Sequence, residues 1–303
     1  MDMNYTLHQL QIFTEVVRQG SVTKAAGKMN ISQPALSIQL KNFQEQFDQP
    51  LTEIHSRKLQ VTDFGYAIAE IADSVLREAE AIRYKTKEYD GLMAGKLKIS
   101  SASTGKYVMP YFLTGFHKEH PGVDLELDVT NKTNVVNDLK GNLVDFAWVS
   151  IIPEGIDVYE EVMMENKLYL VGSTPEFDTG SSLIYREEGS ATRSAMDRYF
   201  KEPKSQRKRI ELTSNEAVKQ AVVAGLGYSV VPLIGIKNEI NIGQLHIIQR
   251  KSLPITTEWR LVWLKKRKLS RVAEAYLDYV RSHKEEIIRD HFGWYTRKAA
   301  ELG

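Results

Sequence analysis

Residues 21–47, SVTKAAGKMNISQPALSIQLKNFQEQF, constrain the fold more than any other stretch. They read as two short helices joined by a tight turn. Ser21 can cap the first helix, and Val22, Ala25, Ala26 and Met29 give it one apolar face. Asn30 and Ile31 make the turn. Ser32 can cap the second helix, its hydroxyl accepting from a free N–H at the helix start. Pro34 falls in the first turn, where a missing N–H costs little. Leu36, Leu40, Phe43 and Phe47 follow at 4-3-4 spacing and must face a core. Gln33, Pro34, Ser37, Ile38 and Lys41 occupy the opposite face. Small and polar groups near a positive helix end suit entry into a DNA major groove.

The flanks extend this unit. Residues 6–18 predict a helix with Leu7, Leu10, Phe13 and Val17 on one side. Residues 51–54 and 59–62 predict a two-stranded wing whose tip carries Arg57 and Lys58, suited to a phosphate or minor-groove contact. Ile68, Ala72, Val75, Ala79, Ile82, Thr86, Tyr89 and Met93 then recur at heptad spacing, predicting a long helix over 63–93 with an apolar seam for a partner helix. Thr62 can cap it, and Gly95 can end it. Up to Gln60 there are six Lys/Arg against five Asp/Glu, so one copy is only weakly basic. Useful DNA affinity then requires several copies on one site, because phosphate neutralisation supplies much of it.

From Lys96 onward strands and helices alternate. Strands are expected at 96–100, 123–130 and 144–150, with helices at 108–119 and from 135 between them. This order implies a mainly parallel sheet with helices on both faces. A second run of strands (168–173, 183–185, 210–212, 228–231, 245–249) encloses helices at 191–200 and 216–224. A strand at 257–264 and a helix at 271–284 return to the first lobe, and 283–303 is expected to form an extra docked helix. The expected class is α+β: a winged helix-turn-helix at 1–62, a linker helix at 63–94, and a two-lobed α/β domain at 95–303. Its first lobe comprises about 95–165 and 258–303, its second about 166–257.

Leu10, Phe13, Gly20-Ser21, Ala25-Ala26, the SQPALS run at 32–37, Pro50-Leu51, Val61-Thr62 and Gly65 resemble the winged helix-turn-helix of LysR-type transcriptional regulators. The resemblance continues to about Ser282. It implies a linker helix that pairs antiparallel with its mate, and an effector domain folded like a periplasmic binding protein. By that resemblance the DNA-facing residues are Ser21, Thr23, Ser32, Gln33, Pro34, Ser37, Ile38, Lys41, Arg57 and Lys58. Two positions depart from it. Ile38 stands where the family very often has Arg, and Thr52-Glu53-Ile54 replaces a common Phe-Glu-Arg.

Open α/β sheets bind ligands beyond the carboxyl ends of their strands, at helix N-termini. Ser101, Ser103, Thr104 and Lys106 follow the first strand. Asn131 and Thr133 follow the second. Arg186, Ser190, Thr192 and Arg193 follow a strand of the second lobe. Hydroxyls, free N–H groups and cations together predict an anionic ligand between the lobes. Ser150 ends a further strand. Trp148 stands where the family usually has a small aliphatic residue, so it should narrow the cleft or stack on the ligand. Thr104-Gly105-Lys106-Tyr107 with Pro110, REEGSATR at 186–193 and SNEAVKQAV at 214–222 resemble the branch containing regulators of carbon-fixation genes. Some of that branch sense phosphorylated or nucleotide metabolites.

Cysteine is absent from all 303 residues, which excludes disulfides and thiolate chemistry. No run reaches transmembrane length, and the N-terminus lacks an apolar leader. The expectation is a cytoplasmic regulator, homotetrameric as a dimer of dimers. Its expected partners are double-stranded DNA, a small anionic metabolite and RNA polymerase, with no membrane, metal or cofactor. Gly225-Leu226-Gly227 follows a helix and precedes a strand, the reverse of a dinucleotide loop. The rival readings are an enzyme or a ligand-sequestering protein on the same two-lobed scaffold. No acid–base or nucleophile constellation favours the former.

Overall fold

Ser21 and Ser32 cap their helices through side-chain oxygens that accept from the backbone N–H of Lys24 and Ala35, at 3.4 and 3.3 Å. The computed structural model describes residues 4–55, 58–89, 93–102, 104–200 and 208–302, without the side chains of 55, 58 and 86–89. The chain divides into two compact units, Met1–Leu92 and Met93–Gly303.

In the first unit, α1 (Leu7–Gln19) starts with a reciprocal capping box between Thr6 and Gln9. Helix α2 (Val22–Met29) ends on left-handed Asn30, and α3 (Gln33–Gln44) follows with Pro34 in its first turn. Helix α3 stops before Phe47, whose ring instead packs 5.1 Å from Phe43 and 6.0 Å from Phe64. Strands β1 (Thr52–His55) and β2 (Lys58–Val61) form the antiparallel wing, one residue out of the expected position. The shift arises because Thr62 serves the next helix. Its Oγ1 accepts from Gly65 N at 2.9 Å and donates to Pro50 O at 2.7 Å. Arg57 lies outside the described residues, as does the side chain of Lys58.

Helix α4 (Asp63–Tyr89) closes this unit's core. Ala69 and Ala72 bury beside Leu36, Leu40 and Phe43, and Ile68 packs against them. The start of the expected seam is therefore spent within the protomer. Further along, Val75 and Ile82 of that seam stay outward, 42% and 72% exposed, and Ile71, which lies off it, is 61% exposed. Thr86 and Tyr89 have side chains outside the described residues. Met93 lies beyond α4 and packs on the second unit's core, so it does not belong to the seam.

Gly65 sits where α4 presses on the foot of the wing, at Leu51 and Val61. A Cβ there would stand 2.1 Å from Leu51 O and 2.9 Å from Val61 Cγ1. Gly65→Ala should destabilise the protein by about 1–3 kcal/mol. A lower urea midpoint with unchanged slope would show it. An unshifted midpoint would mean that α4 slides without cost.

The second unit begins with β3 (Ala94–Ala102), α5 (Met109–Glu119), β4 (Gly122–Thr130), α6 (Lys132–Lys140) and β5 (Phe146–Val149). Strand β3 pairs in parallel with both β4 and β5, as two helical crossovers require. Next come β6 (Val158–Gly172), β7 (Leu183–Arg186), α7 (Ala191–Tyr199), β8 (Arg209–Leu212), α8 (Asn215–Val223) and β9 (Ser229–Pro232). The chain finishes with α9 (Lys237–Asn241), β10 (His246–Ile247), β11 (Ile255–Leu264) and α10 (Arg271–Glu301). Helices α5 and α10 cover one face of the first lobe, burying Phe112, Phe116 and Tyr276. Helix α6 covers the other with Val135 and Leu139.

Strands β6 and β11 pair antiparallel from Val158↔Leu264 to Leu168↔Ile255 and carry the chain between lobes. Strand β6 starts ten residues before the expected position. The register shifts at Trp259/Arg260, opposite Met164 and Val162, and leaves Met163 as an extra residue. That bulge lets adjacent Met163 and Met164 both bury, which breaks the alternation a strand normally shows. The second lobe builds on β6 with β9 and β10, and a bridge from Leu183 to Tyr228 adds the parallel β7–β8 pair. Residues 284–301 do not form a separate docked helix. They continue α10 without a break, because Ile287, Phe292, Tyr295 and Ala299 keep one face on the core.

Candidate DNA interface and ligand cleft

On α3 the side chains opposite the core stand outward together. Gln33 Nε2 donates to Ser37 Oγ at 2.9 Å, one turn along the helix. Lys41 lies 3.6 Å from Glu45, a solvent-exposed pair that restrains it little. Pro34 and Ser32 are exposed at the helix start, as is Thr23 on α2, while Ser21 is half-buried. Ile38 and Ile54, the two departures from the family pattern, are 59% and 77% exposed. Ile38 stands on the outward face of α3, and Ile54 on wing strand β1.

In the second unit the lobes meet over a narrow cleft. Thr104, Ser150 and Thr192 line it together, joined by Asn166, Thr257 and Arg198. It encloses about 20 Å³, little more than one water. The floor is the strand crossing, where Asn166 Nδ2 donates to Thr257 Oγ1 at 2.9 Å. Asn166 Oδ1 is buried and has no hydrogen-bond partner among the described residues. One wall is the start of α7, whose N-cap Ser190 makes no side-chain capping bond. The N–H groups of that turn and the Arg198 guanidinium can therefore meet an anion entering the cleft.

The remaining expected site residues fall elsewhere. Arg186 is 2% exposed, and its guanidinium forks onto Glu187 at 2.7 and 2.8 Å and bonds Asn215. Arg193 reaches Glu211 and Asp197, at 2.8 and 2.9 Å, on the side of α7 away from the cleft. The Glu211 hydrogen bond raises its pKa, burial opposes, and Asp197 adds to the rise. Both arginines are already neutralised within the second lobe. Trp148 is buried and tilted against Phe112 at 5.3 Å beneath Gly105, so it is core rather than cleft wall. Ser101 is buried too, and its hydroxyl donates to Ala102 O. Lys106 lies over the Tyr107 ring at 5.0 Å, within electrostatic reach of Glu216. Asn131 caps α6 by accepting from Asn134 N. Thr133 marks the rim, since a Cβ on Gly189 would come within 2.5 Å of its Oγ1. Ser103 lies outside the described residues.

Arg198, Asn166 and Thr257 were missed by sequence reasoning. Helical spacing held the signal for Arg198, because Ala191, Ala195 and Arg198 share one face of α7. Asn166 and Thr257 gave none, since their meeting depends on strand pairing.

The comparisons with known proteins agree with this layout. Residues 7–66 match the family described as "Bacterial regulatory helix-turn-helix protein, lysR family", and residues 90–285 match "LysR substrate binding domain". The HTH-type transcriptional activator CmpR of Synechocystis sp. is 31% identical, with 94% of this chain and 97% of that protein covered. A RuBisCO operon transcriptional regulator of Allochromatium vinosum is 33% identical over 92% and 97% of the two chains. Among solved structures, the Synechocystis CcmR regulatory domain in complex with 2-PG is 29% identical with a TM-score of 0.57, covering 63% of this chain and 97% of that one. The chain belongs to the LysR family and is a transcriptional regulator that joins a helix-turn-helix head to an effector-binding domain.

Proposed function

We propose that this regulator binds its operator as a homotetramer built from two dimers, and that a small anionic metabolite between the lobes changes its footprint. The observation that carries the ligand reading is the cleft itself: hydroxyls of Thr104, Ser150 and Thr192, Asn166 Oδ1 without a partner among the described residues, Arg198 from the last turn of α7, and an α7 start without a side-chain cap. The CcmR regulatory domain was solved with 2-phosphoglycolate, a small anionic metabolite. A metabolite of several heavy atoms must spread the lobes to enter, which couples its binding to their angle. Residues 1–62 act as the head, 63–94 as the pairing helix, and 95–303 as the sensor. Gln33, Ser37, Ile38 and Lys41 face bases or phosphates, with Ser21, Thr23, Ser32, Pro34, Arg57 and Lys58 around them. RNA polymerase is a further partner of the DNA-bound tetramer, whether it activates or represses.

A regulator rather than an enzyme is the reading its relatives support, since they are named as transcriptional regulators, and a DNA-bound regulator works in the cytoplasm. No helix among the described residues is long and apolar enough to cross a membrane. Calorimetric titration of the full chain with 2-phosphoglycolate tests the site. Arg198→Ala should weaken binding about tenfold or more, since a charge-assisted hydrogen bond contributes about 1.5–3 kcal/mol. Arg193→Ala should change it less than about threefold, because that side chain faces away. The reverse ranking would return the site to the outer side of α7.

A further inference from the structure

Beyond residue 285, where the family match ends, α10 runs on for four more turns and touches both lobes. Phe292 packs on Phe112 and Tyr111 of the first lobe. Tyr295 Oη accepts from Lys167 N at 2.7 Å, beside the strand crossing. Leu302 O accepts from Gln249 Nε2 of the second lobe at 3.2 Å. Where this helix end meets α9 there is a pocket of about 230 Å³, far roomier than the cleft. Lys237 and Ile240 wall it from the second lobe, and Trp294, Arg297, Lys298 and Glu301 from α10. Lys237 Nζ stands 4.7 Å above the Trp294 ring, and Lys298 pairs with Glu301 at 3.1 Å.

We propose that this pocket is a second ligand site, for a small organic dianion: a phosphate monoester or a dicarboxylate. Three cations face one carboxylate, so the walls carry a local excess of two positive charges. The Arg297 fork matches the geometry of phosphate and carboxylate oxygens. Trp294 and Ile240 offer apolar surface to the carbon portion. Because the cations come from both α9 and α10, a bound dianion ties the helix end to the second lobe and resists changes in lobe angle. This site shares no residue with the cleft, so its fate is independent of that reading.

The test uses the full-length Arg198→Ala chain, which weakens the cleft, titrated with glycerol 3-phosphate and separately with succinate at low salt. Saturable binding of either anion is expected. In that background Lys237→Ala with Arg297→Ala should weaken binding at least about tenfold. Both side chains are exposed, so the fold should survive their loss. Glu301→Gln, which frees Lys298, should tighten binding about threefold. Preference for one anion identifies the ligand class. Binding untouched by the double substitution, or no binding of either anion up to about 10 mM, overturns the proposal.

Discussion

Gln33→Ala is expected to weaken binding to the protein's own operator by about 5- to 150-fold, the cost of about 1–3 kcal/mol for one lost base contact. Binding to random DNA should hold within a factor of two or so, since Gln33 is uncharged and phosphate attraction is sequence-independent. The structure sharpens the expectation. Gln33 Nε2 is held by Ser37 Oγ at 2.9 Å, which leaves the amide oriented outward from the first turn of α3. Ser37→Ala releases that restraint and should reproduce part of the loss. Gel-shift titrations on operator and scrambled DNA at two salt concentrations measure both effects. Equal weakening on the two DNAs would show that Gln33 contacts phosphate rather than a base.

The larger effect is expected from α4. Ile71→Glu with Ile82→Glu should raise the dimer dissociation constant by about 10³-fold or more, because burying each isoleucine contributes about 1.5–3 kcal/mol. Both side chains are exposed in the protomer, so the substitutions should not unfold it. Operator affinity should fall with dimerisation, since a head with six cations against five acids cannot hold DNA alone. Sedimentation of the variant against the parent reads the first effect, and footprinting reads the second. A variant that stays oligomeric would move the interface off this stripe. Ile68 and Ala72 are unsuitable probes, because they pack in the head's own core.

The head was legible because its signals are local. Ser32, Pro34 and the 4-3 spacing of Leu36, Leu40 and Phe43 each act within a turn or two, and the structure realises all of them. The two-lobed fold was legible for a similar reason, since alternating strand and helix patterns leave few right-handed topologies. The α4 stripe was legible in period but not in partner. Apolar spacing shows that a face must be covered, yet the head's own core covers its beginning and leaves Val75 and Ile82 outside, together with exposed Ile71, which the heptad seam does not contain.

The cleft shows where local signals stop. REEGSATR marked a ligand-facing turn, and Thr192 does line the cleft. Charge alone could not say which arginine points inward. Arg186 and Arg193 find Glu187 and Asp197 close by in the chain, and the β7–β8 pairing adds Glu211, all inside their own lobe. The sequence by itself determined the capped helices, the reading head, the linker and the parallel order of the first lobe, because caps, periods and crossover handedness are short-range constraints. Tertiary structure alone decided that Arg198, Asn166 and Thr257 meet in the cleft, that Trp148 is core, and that α10 runs on across both lobes. Those facts depend on strand register and on which buried charges find partners, and each joins residues far apart in the chain.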